Sequence, residues 1–277
     1  MSVRNNADRT AAPVPADTPV TQTADTGFSF TTPTEFVDLP SGGKFYPEGH
    51  ALHNVDSVEI RYMTAKDEDI LTSSSLLKKG IAVDRMLENI LTNKSIKVDD
   101  LLVGDKNALI LAARVTGYGA DYTTAITCPV CGTKNNHEFD LSSLKTKEVE
   151  IDVNLSSEGN FLVTLPKSNV QAGVRLLTGK DEKTLAAQAE TRKKHNLEEA
   201  TLTDQFKKVI CSVNGNTDIN TISQFVNNMP AADSRYLRGV YADLMPNIDM
   251  NQSFNCTSCG FEEEVSVPFT ADFFWPK

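Results

Sequence analysis

Four of the five cysteines in this sequence fall in two Cys-x-x-Cys-Gly segments, Cys128-Pro-Val-Cys131-Gly and Cys256-Thr-Ser-Cys259-Gly. A turn of this kind points two thiolates at one ion while backbone N–H groups bond to the sulfurs, and the glycine takes a positive φ at little steric cost. Two such turns close a tetrahedral site. Cys128, Cys131, Cys256 and Cys259 are therefore expected to hold one structural zinc ion, although the spacing does not separate zinc from iron in a rubredoxin-like site. Between Cys131 and Cys256 lie 124 residues, against roughly 15–20 in a simple zinc ribbon. Loop-closure entropy grows only logarithmically with length, so a folded domain can bring the turns together, and a bound ion would then pin its two halves.

Other chemistries fit these residues less well. A redox Cys-x-x-Cys sits at a helix N-terminus near a βαβ pattern, and neither pair does. Unmetallated thiols are a further reading. A catalytic zinc needs an open position, which four thiolates do not leave, and no glutamate is placed beside them as a base. His137, six residues past Cys131, could replace a ligand but reads better as a surface strand residue. Cys211, in the apolar run Val209, Ile210 and Val213, reads as a buried thiol.

The chain has no Walker loop and no G-x-G-x-x-G, G-x-S-x-G or H-E-x-x-H motif. Its four histidines are scattered, and the acid pairs Asp99-Asp100 and Glu198-Glu199 suit solvated faces. So does the basic run Arg192 to His195. No catalytic residue, and no enzymatic activity, is expected. Arg114, with Gly117-Tyr118-Gly119 and Tyr122, reads as core packing or as a flat contact surface.

The knuckles require strands to carry them. Short extended runs at Thr123 to Thr127 and Asn135 to Leu141 flank the first, and Gln252 to Asn255 and Phe261 to Phe269 flank the second. Further back, Val55 to Met63 alternates apolar and polar residues as a strand does. Thr64 then caps a helix whose first turn holds Asp67, Glu68 and Asp69. Val83 to Leu91 and Asp105 to Val115 read as helices, the second capped by Asp105 and nearly all apolar.

The segment Arg61-Tyr-Met-Thr64-Ala-Lys66-Asp67-Glu68 lines up with Arg175-Leu-Leu-Thr178-Gly-Lys180-Asp181-Glu182. After the second copy come helical stretches at Lys183 to His195, Leu202 to Ser212 and Ile222 to Leu244, with breaks at Asn214-Gly215 and Met229-Pro230. The expected fold is α+β, in two related halves, 34–146 and 147–277. Each is strand plus helices ending in a β-hairpin with a knuckle, joined by a composite zinc-ribbon-like site. The capping threonine precedes the first knuckle cysteine by 64 residues in one half and 78 in the other, which requires an insertion in the second.

Residues 1–33 are rich in Ala, Pro, Thr and Asp and read as a disordered tail, inert or folding on a neighbouring subunit. The formal charge of −10 disfavours nucleic acid and anionic membranes as partners. Apolar runs are too short to span a membrane, and no signal core is present, so the chain should fold in the cytoplasm where it is made.

In order along the chain, Leu39-Pro-Ser-Gly-Gly-Lys-Phe-Tyr46, Met63-Thr-Ala-Lys-Asp-Glu68, Arg114-x-x-Gly-Tyr-Gly-x-x-Tyr122 and Cys128-Pro-Val-Cys-Gly132 resemble the base plate proteins of T-even-type contractile bacteriophages. The resemblance spans about residues 36–275 and ends in an aromatic plug, Phe-Phe-Trp-Pro. It implies a virion component of the tail baseplate, in or assisting assembly of the hub, with other tail proteins as partners and no small-molecule substrate. The zinc is argued from the cysteines alone. An assembly chaperone absent from the finished particle and a zinc-ribbon nucleic-acid binder are the alternatives.

Overall fold

The computed structural model describes residues 32–147, 149, 160–268 and 271–274. Most of the expected N-terminal tail lies outside them, as do Trp275 and Pro276 of the aromatic plug. Among the described residues the fold is α+β, with eight α-helices and small antiparallel sheets.

β1 (Thr34–Asp38) pairs with β2 (Ser57–Arg61) across the turn-rich segment, and α1 (Ala65–Thr72), α2 (Ser74–Lys78) and α3 (Ala82–Ile90) follow. α4 (Val103–Tyr118) then runs to the first knuckle hairpin, β3 (Asp121–Thr127) and β4 (Lys134–Asp140). β5 (Lys145–Lys147) pairs with the distant β9 (Asn247–Asp249). β6 (Phe161–Thr164) and β7 (Gln171–Val174) precede α5 (Gly179–Lys194) and α6 (Thr201–Val209), and β8 (Ile210–Val213) returns to the edge of β7. α7 (Ile219–Asn228) and α8 (Ala231–Leu244) lead to the second hairpin, β10 (Asn251–Asn255) and β11 (Glu262–Ser266).

Thr64 and Thr178 start α1 and α5 as expected, and the reason is the same side-chain cluster built twice. Asp67, three residues into α1, accepts from the N–H and Oγ1 of Thr64, both at 2.8 Å, and from both terminal nitrogens of Arg61 at 2.7 and 2.9 Å. Asp181 repeats this with Thr178 at 3.1 and 3.0 Å and with Arg175 at 2.8 and 3.0 Å. Each carboxylate thus serves orphan N–H groups of a helix start while a planar guanidinium neutralises it in bidentate fashion.

Two expectations are corrected. Asp105 is not the cap of α4, a position Leu102 takes; it lies three residues further on, fully buried, where Ser41 N–H, Ser41 Oγ and Tyr46 Oη donate to it at 2.9, 2.6 and 2.7 Å. Leu202 to Ser212 is not one helix: α6 ends at Val209, and the run Ile210–Val213, β-branched at both ends, becomes β8 because β7 offers it a ladder. Ile222 to Leu244 divides into α7 and α8 at the expected break, Met229-Pro230, where proline lacks the N–H to continue.

One hydrophobic core runs from Val37 through α3, α4 and the β6–β7–β8 sheet to Phe274. Across its middle, the starts of α4 and α5 meet as an antiparallel bridge, with Val103 N–H on Leu177 O and Gly179 N–H on Leu101 O at 3.1 and 2.9 Å. Two buried tyrosines flank it: Tyr46 Oη accepts from Leu102 N–H and Tyr241 Oη from Leu177 N–H. Buried Asp84 of α3 binds Lys106 and Lys183 beside this bridge at 3.0 and 2.7 Å. Gly104 is required here, since an added Cβ would lie 1.8 Å from Pro246 O.

Candidate metal centre

The two hairpins end in the same local structure. In the first, Cys128 N–H bonds Thr133 O and Gly132 N–H bonds Cys128 O, both at 2.9 Å. In the second, Cys256 N–H bonds Phe261 O and Gly260 N–H bonds Cys256 O at 2.8 and 2.9 Å. Gly132 and Gly260 have φ of 69° and 70°, the left-handed conformation that favours glycine.

Packing sets one hairpin against the other. Phe254 is buried with Cys128 and Cys256 beneath the site, against Ile126, Phe261 and Val265. His137 sits edge-on between Phe139 and Phe254, at 4.6 and 5.4 Å between ring centres. It is therefore half-buried packing between the hairpins rather than a plain surface residue, and it is not in the donor cluster. Gln252 spans the far end, accepting from Asp140 N–H at 3.2 Å and donating to Asp140 O at 2.7 Å as a strand residue would.

These contacts bring all four predicted sulfurs together. The Sγ atoms of Cys128, Cys131, Cys256 and Cys259 lie within 4.8 Å of one another. Cys128 and Cys259 are 3.8 Å apart and Cys131 and Cys256 3.6 Å. A tetrahedron of sulfurs at the zinc–thiolate distance of about 2.3 Å has edges of about 3.8 Å, so the donor set fits one tetrahedral ion. Cys128 and Cys256 are buried, whereas Cys131 and Cys259 face outward.

The thiols ionise unequally. Burial opposes ionisation of Cys256, but the N–H groups of Cys259 and Ser258, with the adjoining thiols, bring its pKa down to about 6. The N–H of Phe261 favours the Cys259 thiolate, yet desolvation and three neighbouring sulfurs push that thiol up to about 12. Cys131 is lowered by hydrogen bonds from Thr133. Four thiolates at this separation repel unless a cation stands among them, so metal binding must displace protons.

Sequence reasoning missed Asn135. It is buried, donates to Cys256 Sγ at 3.4 Å and to Thr133 O at 3.1 Å, and accepts from Thr257 N–H and Oγ1 at 3.1 and 2.6 Å. One side chain thus ties the knuckles together and orients a sulfur, the part an outer partner plays at a metal site. A polar residue on the inward face of β4 was its only signal.

Arg114, read above as core or contact surface, is core. Its Nε donates to Phe273 O and its terminal nitrogens to Gly119 O and Asp121 O, at 2.6, 2.6 and 3.0 Å, with Tyr118, Tyr122 and Phe273 around the guanidinium. Phe273 and Phe274 are buried, as the plug reading expects. Cys211 is half-buried beside Gly173, away from the four-sulfur cluster.

Compared with known families, residues 32–275 match the family model described as T4 bacteriophage base plate protein. The chain belongs to that family. No curated protein and no solved structure gives a significant match. A base plate protein is a component of the phage tail, and its working surfaces meet other tail proteins. Among the described residues of this base plate protein, no helix is long and apolar enough to cross a membrane.

Proposed function

We propose that this base plate protein is a structural, non-enzymatic part of the baseplate hub. On this reading Cys128, Cys131, Cys256 and Cys259 hold one zinc ion that fixes the two knuckle hairpins as a single surface for neighbouring tail proteins. The observation that carries the zinc is the convergence of four sulfurs, from turns 124 residues apart, at tetrahedral spacing.

Residues 34–146 and 147–277 are read as two related halves. Supporting this are the doubled Arg–Thr–Asp cluster and the doubled knuckle. The halves already share a continuous core and the bridge between α4 and α5. Zinc is therefore not needed to hold them side by side; it acts at the hairpin end, where the local core is only three buried residues. A pre-organised end meets a partner without the cost of ordering two loose hairpins. Hub placement follows the family resemblance, with protein surfaces as partners and no role for nucleic acid, membrane or small-molecule substrate.

The test is elemental analysis and thiol titration of the purified chain, with thermal melts before and after chelation. One zinc per chain, four protected thiols and a melt lowered by chelation are expected. Cys128→Ser and Cys256→Ser should lose the metal and the ability to enter the tail, whereas Cys211→Ser should retain both. Absence of metal with five freely reactive thiols would refute the zinc reading, and virions lacking the protein would refute the structural one.

A further inference from the structure

Among the described residues, strand β1 is hydrogen-bonded on one side only, to β2. Leu39 N–H bonds Asp56 O at 2.8 Å and Tyr62 N–H bonds Pro33 O at 2.9 Å, which assigns the odd-numbered residues to that ladder. In an antiparallel pair the alternate residues turn their N–H and C=O groups outward. Thr34, Phe36 and Asp38 therefore present theirs along an edge where, among the described residues, nothing pairs with them. Their side chains share the face away from the core: Val37 is 9% exposed but Phe36 69%. Natural proteins usually blunt such an edge, and an exposed aromatic on it does the opposite.

We infer that β1 is a self-association surface, through which two copies of this chain join their β2–β1 ribbons into one four-stranded antiparallel sheet across a twofold axis at Phe36. In this register Phe36 meets Phe36, Thr34 meets Asp38 and Glu35 meets Val37, so no carboxylates face each other. Thr34 lies opposite Arg61 within its own ribbon, so Asp38 of the second copy falls in the same cross-strand row as that arginine. Moving the axis to residue 35 would set Glu35 against Glu35, a destabilising like-charge pair. Moving it to residue 37 would set Pro40, which has no N–H, against Thr34 and lose the bond there. Strand sequence and charge thus select one register for the second copy. Five residues a side is far below the roughly 20–30 of a standard interface, so the association is weak and is felt at high local concentration.

Sedimentation velocity of the full-length chain over rising concentration should show a reversible monomer–dimer equilibrium. Phe36→Asp, which places two carboxylates on the axis, should weaken it on the order of tenfold while leaving the thermal melt of this exposed site unchanged. Register is read separately. The paired Cα atoms on the axis would lie about 5.5 Å apart, within disulfide reach. Phe36→Cys with oxidised glutathione should therefore give a covalent dimer above the parent's background, whereas Thr34→Cys, off the axis, should not. A monomer at every concentration overturns the inference. So does a dimer indifferent to Phe36→Asp, or one cross-linked as well from position 34 as from position 36.

Discussion

The amide nitrogen of Asn135, on the first hairpin, donates to the sulfur of Cys256 on the second at 3.4 Å, while its oxygen takes both donors of Thr257. The two knuckles are thus joined by a protein bond that does not depend on any ion at the sulfurs. Asn135→Ala should leave all four thiols in place but lower metal retention by ~10-fold to 100-fold, measured by competition with a chromophoric chelator. Retention equal to the parent would show that the sulfurs need no such support.

Three carbonyl oxygens and three aromatic rings receive Arg114, and burial lowers its pKa from the ordinary value. Arg114→Met fills a similar volume yet strands those carbonyls, each at about 1–3 kcal/mol when buried. A loss of more than about 3 kcal/mol in urea unfolding is expected, and Arg114→Lys, without the planar fork, should recover little of it. Recovery by lysine would mean that charge rather than geometry matters.

Asp67 predicts an acid dependence with a definite sign. Burial would raise its pKa, but Arg61, Thr64 and Asn89 hold it at about 2, below the unfolded value of about 3.9. A depressed folded pKa gives stability that is complete above the unfolded value and lost as pH falls through the folded one. Asp67→Asn should thus cost about 2 kcal/mol at neutral pH, with the gap to the parent closing between about pH 4 and pH 2. Chemical denaturation at several pH values measures this; a pH-independent gap would place the effect in shape rather than charge.

Two glycines of α4 should respond differently to the same change. Gly104→Ala drives a Cβ into the backbone at Pro246, where nothing can swing aside, and should cost at least about 3 kcal/mol. Gly117→Ala meets only the flexible end of Met63 and gains about 1 kcal/mol of helix propensity, so its stability should stay near the parent's. Comparable losses for both would contradict the packing described between α4 and the turn before β9.

What could be read from the sequence was what local spacing encodes. Thr64 and Thr178 announce helix starts, alternation marks β2, short extended runs mark the knuckle strands, and four cysteines in two Cys-x-x-Cys-Gly turns announce a shared ligand set. What could not be read depends on residues far apart in sequence. Asp105 has a capping residue's composition, but Ser41 and Tyr46, some 60 positions earlier, bind it three residues inside the helix. Ile210 to Val213 continues a helical pattern until β7 claims it, and Asn135 gains its role only from Thr257, 122 positions away.

The bond from Arg114 to Phe273 also orders events in time. The two residues are 159 positions apart, so a ribosome adding 5–20 residues per second emits the arginine roughly 8–30 seconds before its last acceptor. During that interval α4, the apolar centre of the molecule, holds a guanidinium with nowhere dry to go. Final consolidation is therefore expected to follow translation of the aromatic segment, giving newly made chains a period of exposure before they are fit to enter a growing tail.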